Sequence, residues 1–329
     1  MDLFRLMEEH ECGRVMAFAQ PRAGLRAWLV LDDTSLGPAV GGTRTWHYPS
    51  GRHALLDAMR LSRAMTLKCS LAGLDAGGGK LVVMDSPDLD RELAFSILGE
   101  ELAKFDFRTA GDMGTQRTDL QQMAASGATV ELDGQALSLA TAQSVMACSR
   151  ACAERMGMEL GQLHVAVQGA GNIGAAVARS FAAAGCRVTI ADTDPHRARR
   201  IADEVEGSLV PAHELFTTAC DLVAPCADGG AITAKAAADL KARAICGAAN
   251  NELADDGAAE VIARRGLLHV PSLISSAGAV IRGISGDDTL IWALAETAAS
   301  VLEEAAATGR PALEITEERA WERIELTRG

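Results

Sequence analysis

Residues 164–192 read HVAVQGAGNIGAAVARSFAAAGCRVTIAD, and the fold turns on them. The apolar run HVAVQ leads into Gly169-Ala170-Gly171-Asn172-Ile173-Gly174, then into the helical stretch AAVARSFAAAG, and the next strand, CRVTIAD, closes on Asp192. A GxGxxG pattern alone is a weak signal. Here it follows a strand, opens a helix, and has a carboxylate eighteen residues beyond its last glycine. That order is the dinucleotide fingerprint. The glycines make the turn and admit a pyrophosphate, the helix N-terminus faces the anion, and the carboxylate takes the ribose hydroxyls. Asp192 repels a 2′-phosphate and so favours NAD over NADP, while Arg197, Arg199 and Arg200 just beyond it pull the other way.

Outward from this stretch the second half keeps a strict alternation. A helix is expected from about Pro195, then strands in CDLVAPC (220–226), ARAICGAAN (242–250) and LLHVPS (267–272). Strands separated by helix-length segments imply βαβ crossovers and a parallel sheet. The first half is mixed, with strands in AWLVLDD (27–33) and KLVVMD (80–85) and helical spacing of Leu55, Met59, Leu61 and Met65 across 53–67. The expected fold is α/β. An N-terminal mixed-sheet substrate domain (1–140) precedes a doubly wound, Rossmann-like NAD-binding domain (141–286), with a cleft between them. From 287 the chain turns helical, and 287–329 is expected to return to the first domain, because the apolar face of Leu290, Leu294 and Val301 needs a partner.

With 329 residues, 48% apolar and 23% charged, the chain has the composition of a globular protein of two domains. A formal charge of −13 without a basic stripe argues against nucleic acid. No apolar run approaches the ~20 residues of a membrane span, and the acidic, amphipathic start MDLFRLMEEH is unlike a signal peptide, so a cytoplasmic location is expected. Eight cysteines without a CxxC read as buried free thiols, and seven scattered histidines give no metal spacing, so no metal is expected.

GPAVGGTRTW (37–46), MTLKCSLAGLDAGGGKLVV (65–83) and AGDMGT (110–115), followed in order by LVAPCADGG (222–230), GAANNEL (247–253) and Ala277-Gly278, resemble the leucine/valine/phenylalanine dehydrogenases of the glutamate-type amino acid dehydrogenase superfamily. The resemblance covers nearly the whole chain. It implies reversible, NAD-dependent oxidative deamination of an L-amino acid with an apolar or unusual side chain, giving a 2-oxo acid and ammonia, by a homodimer or higher homo-oligomer. It further implies Lys68 as the anchor of the substrate carboxylate, Lys80 as the base that activates water, and Asp112 as the acid/base partner of the amino group. On the substrate side it implies Val40, Gly41, Gly42, Met65 and Ser276. At the cofactor it implies Arg44, Thr141, Cys226, Ala249 and Asn250 beside residues 169–174 and Asp192. The run Gly77-Gly78-Gly79 would let backbone and substrate crowd against Lys80, whose pKa a nearby Lys68 would help to lower.

The departures from the family pattern gather on the substrate side. Ser276-Ala277-Gly278-Ala279 stands where relatives carry Asn-Ala-Gly-Gly, ALSLAT (136–141) stands where they have a Pro-rich loop, Gly111 replaces an acidic residue before Asp112, and the 115–140 segment is shortened. Two alternatives accompany the dehydrogenase reading. One is a reductase for a different imine or keto acid in a specialised pathway, and the other a catalytically weakened NAD-binding regulatory homologue.

Overall fold

In the computed structural model, which describes residues 2–328, the chain separates into two units: residues up to Gly134 together with those from Trp321, and Gln135–Ala320. The first unit runs α1 (Leu3–Glu9), β1 (Arg14–Gln20), β2 (Leu25–Leu31), β3 (Ala39–Trp46), α2 (Gly51–Leu71), β4 (Gly77–Met84), α3 (Arg91–Leu102), β5 (Phe107–Gly111), α4 (Arg117–Ala125) and β6 (Thr129–Glu131). Its sheet order is β1-β2-β4-β3-β5-β6, antiparallel across β1-β2-β4 and parallel from β4 to β6, which is the expected mixed sheet.

Strand β4 shows how the sequence places its side chains. Successive residues of a strand point to opposite faces. Leu81 and Val83 therefore join Phe95 and Leu98 of α3 in one core, while Val82 and Met84 join Ala54, Leu55, Ala58 and Met59 of α2 in the other. Lys80, two residues before Val82, shares the α2 face. Helix α2 starts at an N-cap, Ser50, whose hydroxyl accepts from His53 N, and it buries a stripe at three- and four-residue spacing.

The second unit runs α5 (Gly134–Arg155), β7 (His164–Gln168), α6 (Asn172–Ala183), β8 (Arg187–Ala191), α7 (Pro195–Glu204), β9 (Ser208–Leu209), β10 (Leu222–Pro225), α8 (Ala234–Asp239), β11 (Ala244–Cys246), α9 (Asp256–Arg264), β12 (Leu268–Val270), α10 (Ser272–Ser275), α11 (Gly278–Ile284), α12 (Thr289–Thr308) and α13 (Ala312–Arg328). Its sheet is wholly parallel with order β12-β11-β10-β7-β8-β9, so the strand order reverses beside β7, as in a doubly wound dinucleotide fold.

The C-terminal expectation needs correction. Residues 287–320 stay with the second unit, and the chain rejoins the first only at Trp321. Helix α12 buries Ile291, Leu294, Ala298, Val301 and Leu302 beside α10 and β12, and the Trp292 ring lies 5.2 Å from the Arg150 guanidinium. An apolar face announces that it needs a partner but not which one. The last turns of α13 are fixed to the first unit by polar contacts. Arg323 donates to Leu74 O at 2.9 Å and pairs with Asp75 at 2.8 Å, Arg328 pairs with Asp33, and the Arg63 guanidinium lies 4.4 Å from the Trp321 ring.

All eight cysteines are free thiols, buried except for half-buried Cys220 and Cys226. No described helix is long and apolar enough to cross a membrane. Just past β2, the buried Asp32 accepts from Thr66 Oγ1 at 2.7 Å through one carboxylate oxygen, and its other oxygen has no hydrogen-bond partner. Burial pushes its pKa from the ordinary 3.8 to about 6. A raised carboxyl pKa penalises the native state once the group ionises, so stability present below about pH 4 is lost as pH rises through 6. Asp32→Asn is expected to stabilise the protein by about 1–2 kcal/mol near pH 8 and by nothing near pH 4. Denaturant titration at both pH values measures the difference, and equal effects at both would show that the charge is not the cause.

Candidate active site

In the first unit, the middles of β3 and β4 and the residue just past β5 bring Gly42, Lys80 and Asp112 together. Lys80 Nζ forms an ion pair with Asp112 Oδ2, and the Lys80 side chain is only 5% exposed. Asp112 is held from its other side by Met113 N, which donates to Oδ1 at 2.5 Å, and by Arg44 Nη2 at 3.4 Å. Arg44 is itself anchored: Nη1 donates to Asp57 Oδ2 at 3.0 Å, and the same oxygen accepts from Tyr48 OH at 2.6 Å. A chain of buried and half-buried polar groups thus runs Tyr48, Asp57, Arg44, Asp112, Lys80.

Burial is the largest influence on Lys80 and lowers its pKa. Arg44 adds to the lowering, and together they outweigh Asp112, which opposes it. Burial alone would raise the pKa of Asp112, but Lys80 and Arg44 overcome it and hold the carboxyl well below its usual range. The arrangement supplies an amine displaced towards neutrality beside a carboxylate that stays ionised, which is the pairing that proton transfer near neutral pH needs. A Cβ on Gly42 would lie 3.1 Å from both Lys80 Nζ and Asp112 Cβ, so a larger residue would press on the pair.

The glycine triplet has a different reason from the one expected. A side chain at Gly78 would enter α2 at Ser62 and Thr66, and one at Gly77 would meet the Asp33–Gly37 loop. At Gly79 a Cβ would stand 2.7 Å from the Phe107 ring. The three glycines let β4 lie against α2, a loop and β5, which fixes the start of the strand and with it the Lys80 amine. Lys68 is buried on α2, Val40 and Gly41 are buried on β3, and Met65 is half-buried on α2. Arg44, expected at the cofactor, gives two guanidinium nitrogens to Asp57 and Asp112. Sequence reasoning missed Asp57 and Tyr48. In HALLDAMRL the aspartate sits beside core positions with nothing in its spacing to name Arg44 as partner.

The second unit builds the fingerprint as its glycines require. Gly169 leaves β7 at φ +92°, a left-handed turn that disfavours a side chain. Gly174 packs against Gly169 O, where a Cβ would collide. A Cβ on Gly171 would meet nothing within 4 Å, so the space beside the first turn of α6 is open. Asn172 and Ile173 are exposed there, and Ala170 N donates to Asp192 Oδ2 at 2.6 Å. An open glycine, a helix N-terminus without a side-chain cap and a carboxylate after the next strand fit a dinucleotide. Burial would raise the pKa of Asp192, but hydrogen bonds from Arg197, Asp194 N and Ala170 N lower it further, so it is an anion.

Elsewhere in this unit, Thr141 Oγ1 donates to Leu137 O at 3.0 Å, and Ser276 Oγ donates to Ser272 O at 2.6 Å, turned onto its own helix. Ser144 Oγ donates to Ser275 O at 2.7 Å and accepts from Gly278 N at 3.2 Å, joining the Ser276 loop to α5 next to Thr141. Ala249 is buried and Asn250 half-buried beyond β11, and Ala249 N donates to Pro225 O at 2.8 Å. Burial pushes the Cys226 thiol up to about 12, which leaves it protonated and unreactive. Among the described residues no group of three or more His, Cys, Asp or Glu could hold a metal ion.

Comparison with known proteins gives concordant matches. Residues 14–128 match the family model for the Glu/Leu/Phe/Val dehydrogenase dimerisation domain, and residues 195–285 match that for glutamate/leucine/phenylalanine/valine dehydrogenase. Leucine dehydrogenase of Geobacillus stearothermophilus is 35% identical over 292 residues, spanning 85% of this chain and 80% of its own. Phenylalanine dehydrogenase of Caldalkalibacillus thermarum is 35% identical over 296 residues, spanning 85% and 79%. Among solved structures, L-tryptophan dehydrogenase from Nostoc punctiforme superposes with a TM-score of 0.81 at 27% identity, covering 99% of each chain.

Proposed function

The chain belongs to the Glu/Leu/Phe/Val dehydrogenase family, and from that premise we propose that it is a cytoplasmic, NAD-dependent amino acid dehydrogenase, a homo-oligomer acting on an L-amino acid with an apolar or unusual side chain. The observation that carries this reading is the buried Lys80–Asp112 pair beside Gly42. The amino acid dehydrogenases among its relatives favour deamination over a specialised reductase or a degenerate binding protein.

The chemistry follows from these groups. Lys68 holds the substrate carboxylate and so fixes Cα. A nicotinamide held at residues 169–174 and Asp192 would supply the hydride acceptor for Cα, and Asp112 takes a proton from the amino group as the imine forms. Lys80, as the neutral amine, removes a proton from water as the oxygen attacks the imine carbon. Asp112 returns its proton to nitrogen, the hydroxyl proton of the tetrahedral adduct passes to the same nitrogen as the C–N bond breaks, and ammonia and the 2-oxo acid leave. Val40, Gly41, Gly42, Met65 and Ser276 face the substrate. Thr141, Cys226, Ala249 and Asn250 join residues 169–174 and Asp192 at the cofactor. Arg44 serves the Asp112 carboxylate in the first unit.

Reductive amination of a panel of 2-oxo acids with ammonia and NADH, followed at the nicotinamide absorbance, tests the proposal. Turnover with a branched-chain or aromatic oxo acid is expected. Turnover only with other carbonyls would replace it by the reductase, and cofactor binding without any turnover by the degenerate homologue. Lys68→Ala is expected to raise substrate KM at least ~10-fold with a smaller loss in kcat, as an anchoring charge should. A pure kcat effect would move Lys68 out of the carboxylate site.

A further inference from the structure

The ribose end of the dinucleotide site carries a feature that simple NAD recognition does not use. Beyond β8, Asp192 Oδ1 accepts from Asp194 N at 2.8 Å and from Arg197 Nη2 at 2.7 Å, and Oδ2 accepts from Ala170 N at 2.6 Å and from Arg197 Nε at 3.2 Å. A carboxylate has about four lone-pair sites, and here each is answered. The 2′- and 3′-hydroxyls of an adenosine ribose have no acceptor left while Arg197 stays in place.

The two backbone donors are fixed by the turn. Arg197 is not: its side chain is 42% exposed, against 5% for Asp192. It stands in the first turn of α7, whose buried face is Ala198, Ile201 and Ala202, so the guanidinium can leave for solvent without disturbing the core. When it remains, it cancels the carboxylate charge and offers its other N–H groups outward. Arg200, three residues on, is its neighbour on the exposed helix surface. In a chain of net charge −13 this local run of arginines is out of keeping with its surroundings.

We propose that Arg197 gives this site two states: seated on Asp192 it admits a 2′-phosphate, and swung into solvent it frees Asp192 for a 2′-hydroxyl, so the protein binds both NADP and NAD. The inference rests on the dinucleotide reading of the second unit and deepens it. Guanidinium matches a phosphate through paired N–H donors, whereas an uncovered carboxylate in the same place repels one. Arg197 is then the residue that sets the ratio of the two affinities.

Dissociation constants for NADH and NADPH, read from nicotinamide fluorescence on the substrate-free protein, test this without turnover. The two are expected to lie within about 30-fold of each other in the wild type. Arg197→Ala should weaken NADPH at least ~10-fold, the loss of a charge-assisted contact, and leave NADH unchanged or tighter. Asp192→Ala should do the reverse, weakening NADH more than NADPH. The melting temperature of each variant checks that it is folded. A wild-type preference for NADH above about 30-fold, or a ratio that Arg197→Ala does not move, overturns the proposal. Binding of neither cofactor would bring down the dinucleotide reading itself, and this inference with it.

Discussion

Asp112→Asn is expected to abolish deamination, with kcat falling by at least ~10³-fold, while the affinity for the nicotinamide cofactor stays within about 3-fold of wild type. The amide keeps the shape of the carboxylate, so Met113 N and Arg44 retain an acceptor in Oδ1. What changes is the face towards Lys80. A carboxylate held well below its usual pKa is replaced there by a group that cannot take a proton from the substrate amine or give one back. The amide also sets an N–H against an ammonium, or an unanchored oxygen if it flips. Lys80 loses its counter-ion in a buried place, which lowers its pKa further, so the damage is not a general loss of basicity. Measured kcat above about a tenth of wild type would show that Asp112 only positions Lys80.

Lys80→Ala should lower kcat/KM by at least ~10²-fold, on the scale of losing a general base. The pH profile identifies the role. The neutral amine is the active form, so the wild-type rate must rise with pH through the Lys80 pKa, and burial with Arg44 places that limb below the 10.5 of an ordinary lysine. In the alanine variant this limb should vanish and not merely shift. Arg44 remains to pair with Asp112, so the fold is expected to survive, and thermal melting checks that. If the variant kept both a near-normal rate and the alkaline limb, the base would lie elsewhere.

How much of this was legible in the sequence depends on how local each cause is. The strand–glycine–helix–strand–Asp192 order was fully readable, because Gly169 answers to a left-handed turn, Gly174 to a close approach five residues away, and Gly171 to the open space at the helix start. Lys80 and Asp112 were readable through their flanking motifs. The partners of Arg44 were not: Asp57 reaches it because α2 packs over the sheet on β4 and β2, Tyr48 reaches it from the loop after β3, and no spacing in HALLDAMRL records that packing. For the same reason the glycine triplet reads in sequence as a substrate feature, whereas in the fold Phe107 and Thr66 stand beside it. Helix α12 is the clearest failure. Its apolar stripe was visible, yet Ile291, not Leu290, heads the buried face, and the face that receives it belongs to the second unit.

The return of the chain at Trp321 has a consequence for synthesis on the ribosome. Gln135–Ala320 is continuous and can fold once its last strand and helix have emerged. The first unit starts earlier but must wait, because Arg323 and Arg328, which tie down Leu74, Asp75 and Asp33, are translated after every residue of the second. The loop that leads into Gly77 and Lys80 is therefore among the last places to be fastened. A nascent chain would carry a finished nucleotide-binding unit beside an unfastened catalytic one, and a message cut short before Trp321 would leave it that way.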